Sequence, residues 1–235
     1  MSIEKAKKAD KVDFDQYADV YEKTLEDDLK FFGEENSYFA EYKIKLVEEL
    51  LSSPSKNILE YGCGIGRNVK FFKQYFPNAN VEACDISEKS LEIAKKENPD
   101  VKFNLISDEF VNQNAGKFDL IFVSCVFHHI EPSLRHGAIT NISKLLKSKG
   151  KLFIFEHNPY NPVTLKIVKD CVWDADAILL KPQETKELIS YAGLKLDKMN
   201  YTLFFPAFLK SLRFMENYLR FIPMGGQYFV MASKN

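Results

Sequence analysis

The sequence of 235 residues predicts an α/β protein built on a mostly parallel sheet. Three observations predict this fold class. Apolar strand-like runs alternate with helical patterns from residue 56 onward, the first run enters a glycine-rich turn, and an acid ends the second run. Alternating strands and helices form parallel sheets, because each crossover helix returns the chain to the same edge. The length suits one large domain that buries its own core.

The strands and helices are predicted from the spacing of apolar residues and from residues that begin or end such elements. Strands are short apolar runs, and helices carry an apolar stripe on one face. Ser87 is a plausible N-cap of the second helix, and Gly150 breaks the chain after the third. The predicted strands are Asn57–Tyr61, Asn80–Asp85, Lys102–Ile106, Phe118–Ser124, Lys151–Glu156, Lys195–Phe204 and Tyr228–Ala232. The predicted helices are Arg67–Tyr75, Glu88–Glu97, Leu134–Lys147 and Gln183–Ala192.

The turn after the first strand contains three glycines at alternate positions. Gly62 and Gly64 allow the backbone to turn sharply and to approach a ligand where a Cβ would clash. Gly66 stands where the next helix presses on the sheet. Asp85 follows Gly66 by 19 residues (85 − 66) and ends the second strand. An acid at that strand end can accept hydrogen bonds from both ribose hydroxyls, so this layout predicts a nucleoside-type cofactor.

The glycine spacing distinguishes two cofactor classes. A dinucleotide fingerprint places its third glycine three residues after the second, and that position is Arg67 in this chain. The third glycine comes one residue earlier, at Gly66. Glu60, just before the loop, would place negative charge close to a pyrophosphate. The same carboxylate suits a cationic ligand, such as an ammonium or a sulfonium.

At Glu60, Gly62, Gly64 and Gly66 the chain resembles the class I S-adenosylmethionine-dependent methyltransferases, whose first motif has the form Glu-x-Gly-x-Gly-x-Gly. The resemblance implies a Rossmann-like seven-stranded sheet, mostly parallel with the last strand antiparallel. It also implies helices on both faces and an N-terminal helical lid. The implied cofactor is S-adenosylmethionine, with S-adenosylhomocysteine as product, and the small-molecule members are the most similar. Two alternatives stay open: an NAD(P)-dependent oxidoreductase, and a non-catalytic module that binds S-adenosylmethionine.

The resemblance further implies roles at the strand ends. Glu60 would face the methionine ammonium, Asp85 would hold the ribose, and Asp108 would accept from the adenine amino group. Tyr21, four residues after Tyr17 on one helix face, would either close over the methionine end or only pack the helix. The cofactor-binding candidates are Tyr21, Glu60, Gly62, Cys63, Gly64, Gly66, Asp85, Ile86, Asp108, Glu109 and Cys125.

Three residues after the fourth and fifth strands bear on the acceptor. His128 and His157 are expected to face the acceptor, because a histidine near neutral pKa can take a proton from a hydroxyl or an amine. The alternative is that both are polar rim residues and that catalysis rests on positioning. Cys125 is expected to be a packing residue rather than a nucleophile, because no nearby residue is expected to lower the pKa of its thiol. No metal is expected, since the histidines and nearby glutamates lack a metal-ligand spacing.

Composition limits the partners and the compartment. The net charge of −1 gives no electrostatic reason to expect nucleic acid, and the acceptor is expected to be a small molecule methylated on oxygen or nitrogen. The four cysteines are scattered, no apolar run reaches membrane-spanning length, and the charged start is unlike a signal peptide. We therefore expect a cytoplasmic protein.

The chain is expected to form one domain, 1–235, with one amphipathic segment of uncertain contacts. Leu209, Leu212, Met215, Leu219 and Ile222 recur at helical spacing with basic residues between them. A helix over 208–222 would pack on the domain, cover an apolar acceptor, form a dimer face or touch a membrane surface. The parts are a helical cap (1–54), a cofactor-binding core (55–157), a substrate-side insertion (158–182) and the C-terminal part of the sheet (183–235), which carries the amphipathic segment (206–226).

Overall fold

The structure, a computed structural model, describes residues 36–235. Its seven strands form one sheet in the order β3-β2-β1-β4-β5-β7-β6. Neighbours from β3 to β5 are parallel, whereas β7 runs antiparallel to both β5 and β6. The strands are β1 Asn57–Tyr61, β2 Asn80–Asp85, β3 Lys102–Leu105, β4 Phe118–Ser124, β5 Leu146–His157, β6 Lys195–Thr202 and β7 Gln227–Ser233.

Helices cover both faces of the sheet, and the described residues form eight α-helices. They are α1 Asn36–Leu50, α2 Val69–Tyr75, α3 Glu88–Glu97, α4 Asp108–Gln113, α5 Arg135–Leu145, α6 Pro162–Asp170, α7 Pro182–Tyr191 and α8 Glu216–Leu219. Ser87 caps α3, as predicted, by accepting a hydrogen bond from the N–H of Ser90. None of these helices combines the length and the apolar character that crossing a membrane requires.

Two apolar layers sandwich the sheet. On one face α1 and α2 pack through residues such as Val47 and Phe72 against Phe122 of β4, and α3 packs beside them through Leu91. On the other face Ile142 of α5 and side chains of α4 and α7 form the larger layer. Strands buried on both faces read as nearly continuous apolar runs, which explains why the parallel strands were recognisable.

All seven predicted strands form, and this confirms the predicted fold class, including the antiparallel last strand. The main differences are at the ends of elements. β5 begins five residues earlier than predicted, at Leu146, and β6 ends at Thr202 rather than Phe204. Helices α4 and α6 were not predicted, because six- and nine-residue helices leave too few turns for a clear period.

The prediction of one amphipathic α-helix over 208–222 is wrong. The chain forms a 3₁₀ segment, Ala207–Met215, followed by the four-residue α8. Leu209 has a non-helical backbone (φ −109°, ψ 18°), which breaks the helix near its start. Buried Glu216 holds the segment instead, by accepting hydrogen bonds from Tyr42 Oη and the N–H of Phe204. The hydrogen bonds of buried Glu216 therefore determine the conformation of this segment, and the helical spacing of its apolar residues does not.

Candidate active site

The glycine-rich loop leaves β1 in a conformation that favours glycine. Gly62, Gly64 and Gly66 all have positive φ, at 78°, 51° and 79°. A Cβ on Gly62 would lie 2.5 Å from Cγ2 of Val126, which is too close for any real contact. A Cβ on Gly64 would meet nothing within 4 Å, so this part of the loop faces open space. The loop thus combines close packing on the turn after β4 with a bare backbone toward a cavity.

Asp85, at the end of β2, is tied to the same loop. One carboxylate oxygen accepts a 2.7 Å hydrogen bond from the N–H of Gly64, and the other accepts a 3.0 Å bond from the N–H of Ser87. The carbonyl of Cys84 accepts from the N–H groups of Gly62 and Cys63. The acid predicted to hold a ribose therefore lies against the loop predicted to face the cofactor.

Glu60 is a buried carboxyl beneath this loop, with 2% of its surface exposed. Asn68 donates a hydrogen bond to its Oε1, while its Oε2 has no hydrogen-bond partner among the described residues. Burial raises the pKa of Glu60 to about 8, against the smaller opposing effects of Asn68 and Lys43. A buried carboxyl oxygen without a partner beside a cavity is suited to a ligand group that donates a hydrogen bond or carries positive charge.

One cavity of about 580 Å³ connects the loop with the ends of β4 and β5. This volume is within the range of small-molecule sites. Of the predicted site residues it is lined by Glu60, Gly62, Cys63, Gly64, Asp85, Ile86, Cys125, His128 and His157. Gly66 packs instead on Ala94 and Phe103. Asp108 and Glu109 are exposed in the first turn of α4 and are not among the lining residues. Tyr17 and Tyr21 lie outside the described residues.

Cys125 departs from the expected packing role. It has a positive φ of 58°, and Gln227 donates a hydrogen bond to its Sγ at 3.4 Å. Burial alone would raise the pKa of its thiol, but the charges of Lys43 and His157 outweigh burial and lower the pKa to about 6. The expectation that nothing nearby lowers this pKa was wrong, because both cations come from distant parts of the sequence.

His128 lies fully buried between two acids. Its Nδ1 is 2.6 Å from Oε2 of Glu156, and its Nε2 is 3.2 Å from Oδ1 of Asp174. The other oxygen of Glu156 accepts from the N–H groups of Val126 and Phe127. Burial alone would lower the pKa of His128, but the two carboxylates outweigh it and raise the pKa to about 10.

His157 and His129 complete a cluster around Asp174. The Nε2 of His157 is 3.9 Å from Oδ2 of Asp174, and the Nε2 of His129 is 3.5 Å from Oδ1. Burial would lower the pKa of His157, but the hydrogen-bonded Cys125 outweighs it and raises this pKa. Burial and the charge of His128 lower the pKa of His129 to about 4. Both predicted acceptor-side histidines therefore belong to one network.

Two site residues escaped the sequence prediction. Lys43 of α1 donates a 2.7 Å hydrogen bond to Oγ of Ser124 and lies 3.9 Å from Sγ of Cys125. Asp174 comes from the 3₁₀ turn Val172–Asp174, which follows α6. Neither residue stands in a motif, and both reach the cavity only through tertiary packing. No local signal in the sequence could have identified them.

A glycine-rich loop on β1, an acid ending β2 and this strand order together define the class I methyltransferase architecture. The family described as "Methyltransferase domain" matches residues 58–150. An uncharacterized methyltransferase of Staphylococcus carnosus is 30% identical over 208 residues, which cover 81% of this chain and 93% of that protein. The chain belongs to the class I S-adenosylmethionine-dependent methyltransferases, and its cofactor is S-adenosylmethionine.

Other similarities either cover less of the chain or are lower in sequence identity. The malonyl-[acyl-carrier protein] O-methyltransferase 1 of Ilyobacter polytropus is 34% identical over 103 residues, which cover 43% of this chain and 38% of that enzyme. The chain spans about two fifths of the length of two of its curated relatives. A crystal structure of a SAM-dependent methyltransferase from Archaeoglobus fulgidus superposes with a TM-score of 0.65 at 16% identity, covering 85% of this chain and 95% of that one. That likeness concerns the fold.

Proposed function

We propose that this methyltransferase transfers the methyl group to an oxygen or a nitrogen of a small-molecule acceptor. The observation that carries the proposal is one continuous cavity of about 580 Å³. Gly64, Asp85 and Glu60 line it from β1, β2 and the loop after β1, whereas His128, His157 and Cys125 line it from β5 and the turn after β4. Because the strand order is β2-β1-β4-β5, we assign these two groups to different ends of the cavity. One cavity can then hold the methyl donor and the acceptor in line, which is the main geometric requirement of methyl transfer.

The cofactor end fits S-adenosylmethionine. The unpartnered Oε2 of Glu60 is suited to the methionine ammonium, and the bare backbone of Gly64 leaves space for the ligand. Asp85 is suited to the ribose hydroxyls, and exposed Ile86 to the face of the adenine. We propose Asp108, at the rim of α4, for the adenine amino group, as the family resemblance implies. Bound there, the cofactor supplies an activated methyl group.

The acceptor end places polar side chains in a cavity whose lining surface is mainly apolar. His157 is proposed to contact the acceptor directly, because its side chain is partly exposed and lines the cavity. His128 is proposed to position the acceptor in the same site, since Glu156 pairs with its Nδ1 and fixes the orientation of its ring, and its Nε2 lies 3.2 Å from Asp174. The similarity to an O-methyltransferase of Ilyobacter polytropus supports an oxygen acceptor, and the amine class is the second candidate.

The test is a search for methylated product. The protein is incubated with S-adenosylmethionine and a panel of small phenols, carboxylates and amines, and S-adenosylhomocysteine release is measured. We expect turnover with members of one class, and at least tenfold less with Asp85→Ala. Asp100→Ala is the matched control, because Asp100 is an exposed acid paired with Lys73 outside the cavity. Cofactor binding without any turnover on the panel or on cell extracts would favour a non-catalytic binding module.

A partner surface is proposed on the segment that follows β6. Phe208, Phe214, Tyr218 and Phe221 are each at least 70% exposed, and basic Lys210 lies among them. Aromatic and basic side chains together suit the headgroup region of a membrane. We expect the protein to sediment with anionic phosphatidylglycerol vesicles. The substitutions Phe214→Ser and Phe221→Ser should reduce the fraction that sediments. A concentration-dependent dimer without vesicle binding would instead assign the surface to a second copy. A cytoplasmic location stays a prediction, and none of the four cysteines, all of which lie in the described part of the chain, forms a disulfide bond.

A further inference from the structure

Three donor atoms of metal-binding type converge at the acceptor end of the cavity. One ring nitrogen of His128, one ring nitrogen of His157 and one carboxylate oxygen of Asp174 all lie within 4.8 Å of one another. The Nε2 of His128 is nearest to Oδ1 of Asp174, and the Nε2 of His157 to Oδ2. The residues come from three separate elements: the turn after β4, the end of β5 and the 3₁₀ turn after α6. All three line the cavity, so any group bound between them would face the acceptor space.

The orientation of His128 is the second observation. Its Nδ1 is paired with Glu156 at 2.6 Å, and its buried Nε2 has no hydrogen bond of acceptable geometry to a described residue. Histidines that ligate metals commonly pair one ring nitrogen with a carboxylate, which turns the other nitrogen toward the ion. Glu156 is itself fixed by hydrogen bonds from two backbone N–H groups, so the orientation of the His128 ring is determined by the surrounding structure.

We propose that His128, His157 and Asp174 bind one divalent first-row transition metal ion, with a coordination position open toward the acceptor cavity. Two imidazoles and one carboxylate suit Zn²⁺, Fe²⁺ or Mn²⁺, whereas Ca²⁺ and Mg²⁺ prefer oxygen ligands alone. The sequence expectation of no metal rested on spacing along the chain, and it did not include Asp174. A role for the ion in holding an acceptor oxygen or nitrogen rests on the proposed function.

The distances allow such an ion with small side-chain movements. Metal–ligand bonds of about 2.0–2.2 Å place donor atoms roughly 3–4 Å apart. The contacts of Asp174 with His128 at 3.2 Å and with His157 at 3.9 Å are already in that range. His129 lies beside the site, with its Nε2 3.5 Å from Asp174 and its Nδ1 3.4 Å from Asp176, but it does not belong to the group of donor atoms that all lie within 4.8 Å of one another.

The experiment is calorimetric titration of the EDTA-treated, dialysed protein with Zn²⁺, and with Co²⁺ as an optical probe. We expect one Zn²⁺ per chain, and ligand-field absorption of Co²⁺ in the visible range. His157→Ala and Asp174→Asn are expected to weaken Zn²⁺ binding at least 100-fold. Glu156→Gln, which removes the charge that orients His128, should weaken it about 10- to 100-fold. The matched control is His136→Ala, because His136 is exposed on α5 away from the cavity and should leave binding unchanged.

The outcomes separate this inference from the proposed function. S-adenosylhomocysteine affinity and circular dichroism are measured on the same metal-free samples, and both should be near wild-type in Asp174→Asn. Wild-type protein that binds the cofactor product but no stoichiometric Zn²⁺ would overturn the metal site alone. Equal Zn²⁺ affinity in folded wild-type, His157→Ala and Asp174→Asn would overturn it too. Zn²⁺ binding without methyl transfer on any acceptor would leave the metal site supported and count against the acceptor proposal.

Discussion

The N–H of Gly64 donates a 2.7 Å hydrogen bond to the carboxylate of Asp85, and this bond joins the loop after β1 to the end of β2. The two residues are the parts of the sequence that predicted a nucleoside-type cofactor. Their contact means that the acid supports the loop conformation as well as offering oxygens to a ligand. Substitutions at either residue are therefore expected to affect cofactor binding through both effects.

Asp85→Ala is expected to weaken S-adenosylhomocysteine binding about 10- to 100-fold. Losing hydrogen bonds to a charged acceptor costs about 1.5–3 kcal/mol, which corresponds to that range of affinity. Calorimetry on Asp85→Ala, Asp85→Asn and the control Asp100→Ala measures it. The affinity of Asp85→Asn for S-adenosylhomocysteine should lie between those of Asp85→Ala and Asp100→Ala, because its amide oxygen can still accept a hydrogen bond from the N–H of Gly64. Undiminished binding by Asp85→Ala would remove this residue from the cofactor site.

Gly62→Ala is expected to destabilise the protein by about 1–3 kcal/mol, since its Cβ would lie 2.5 Å from Val126 in a tightly packed region. Gly116→Ala is the matched control. Gly116 also has positive φ, at 66°, but a Cβ there would meet nothing within 4 Å. Urea denaturation of both variants separates the steric clash from the backbone strain that they share. Equal free energies of unfolding would contradict the predicted clash.

Cofactor binding is expected to depend on pH through Glu60. Its pKa of about 8 in the free protein means that the carboxyl is protonated at pH 7, whereas an ammonium group favours the carboxylate. Binding of S-adenosylhomocysteine should release a proton, and its affinity should rise about tenfold per unit between pH 6.0 and 7.5. Glu60→Gln should make the affinity nearly independent of pH in that window. A wild-type affinity that falls as pH rises would contradict the account.

The pKa of Glu60 also affects stability, and in the opposite direction: the affinity for the ligand rises with pH, whereas the contribution of Glu60 to the free energy of unfolding falls. The pKa of Glu60 is raised from its ordinary 4.5, so the folded protein without ligand binds the proton more tightly than the unfolded chain does. Its contribution to the free energy of unfolding is complete below pH 4.5 and is lost as pH rises toward 8. Denaturation of wild-type and Glu60→Gln across this window tests it, and a parallel pH dependence of the two proteins would exclude the contribution.

Asp108→Ala is expected to weaken S-adenosylhomocysteine binding several-fold, because the loss concerns one hydrogen bond at the exposed rim of α4. The structure places apolar Ile86 and Ile106 along the cavity, while Asp108 is outside its lining. The wild-type protein should bind adenosine more tightly than a 6-substituted analogue that lacks the amino group. This difference in affinity should be smaller in Asp108→Ala. Identical behaviour of the two proteins would assign adenine recognition to the apolar side chains alone.

Much of the fold could be predicted because its signals are local. The buried strands are apolar runs, and the loop after β1 needs glycines whose positions are visible in the sequence. The acceptor end was less predictable. His128 and His157 stand at strand ends, but their environment depends on Asp174 and Lys43, which are distant in the chain and carry no motif. The prediction of a helix after β6 was wrong for a similar reason. The path of this segment is determined by the buried side chain of Glu216, whose contacts are tertiary.

We propose that the loop after β1 and Asp85 bind S-adenosylmethionine at one end of the cavity, which leaves the histidine cluster for the acceptor. A crystal structure with S-adenosylhomocysteine tests this most directly. We predict the ribose on Asp85, the ammonium on Glu60 and the sulfur directed toward His128 and His157. A nucleoside bound away from Gly64 and Asp85, or a sulfur directed away from the histidines, would contradict it.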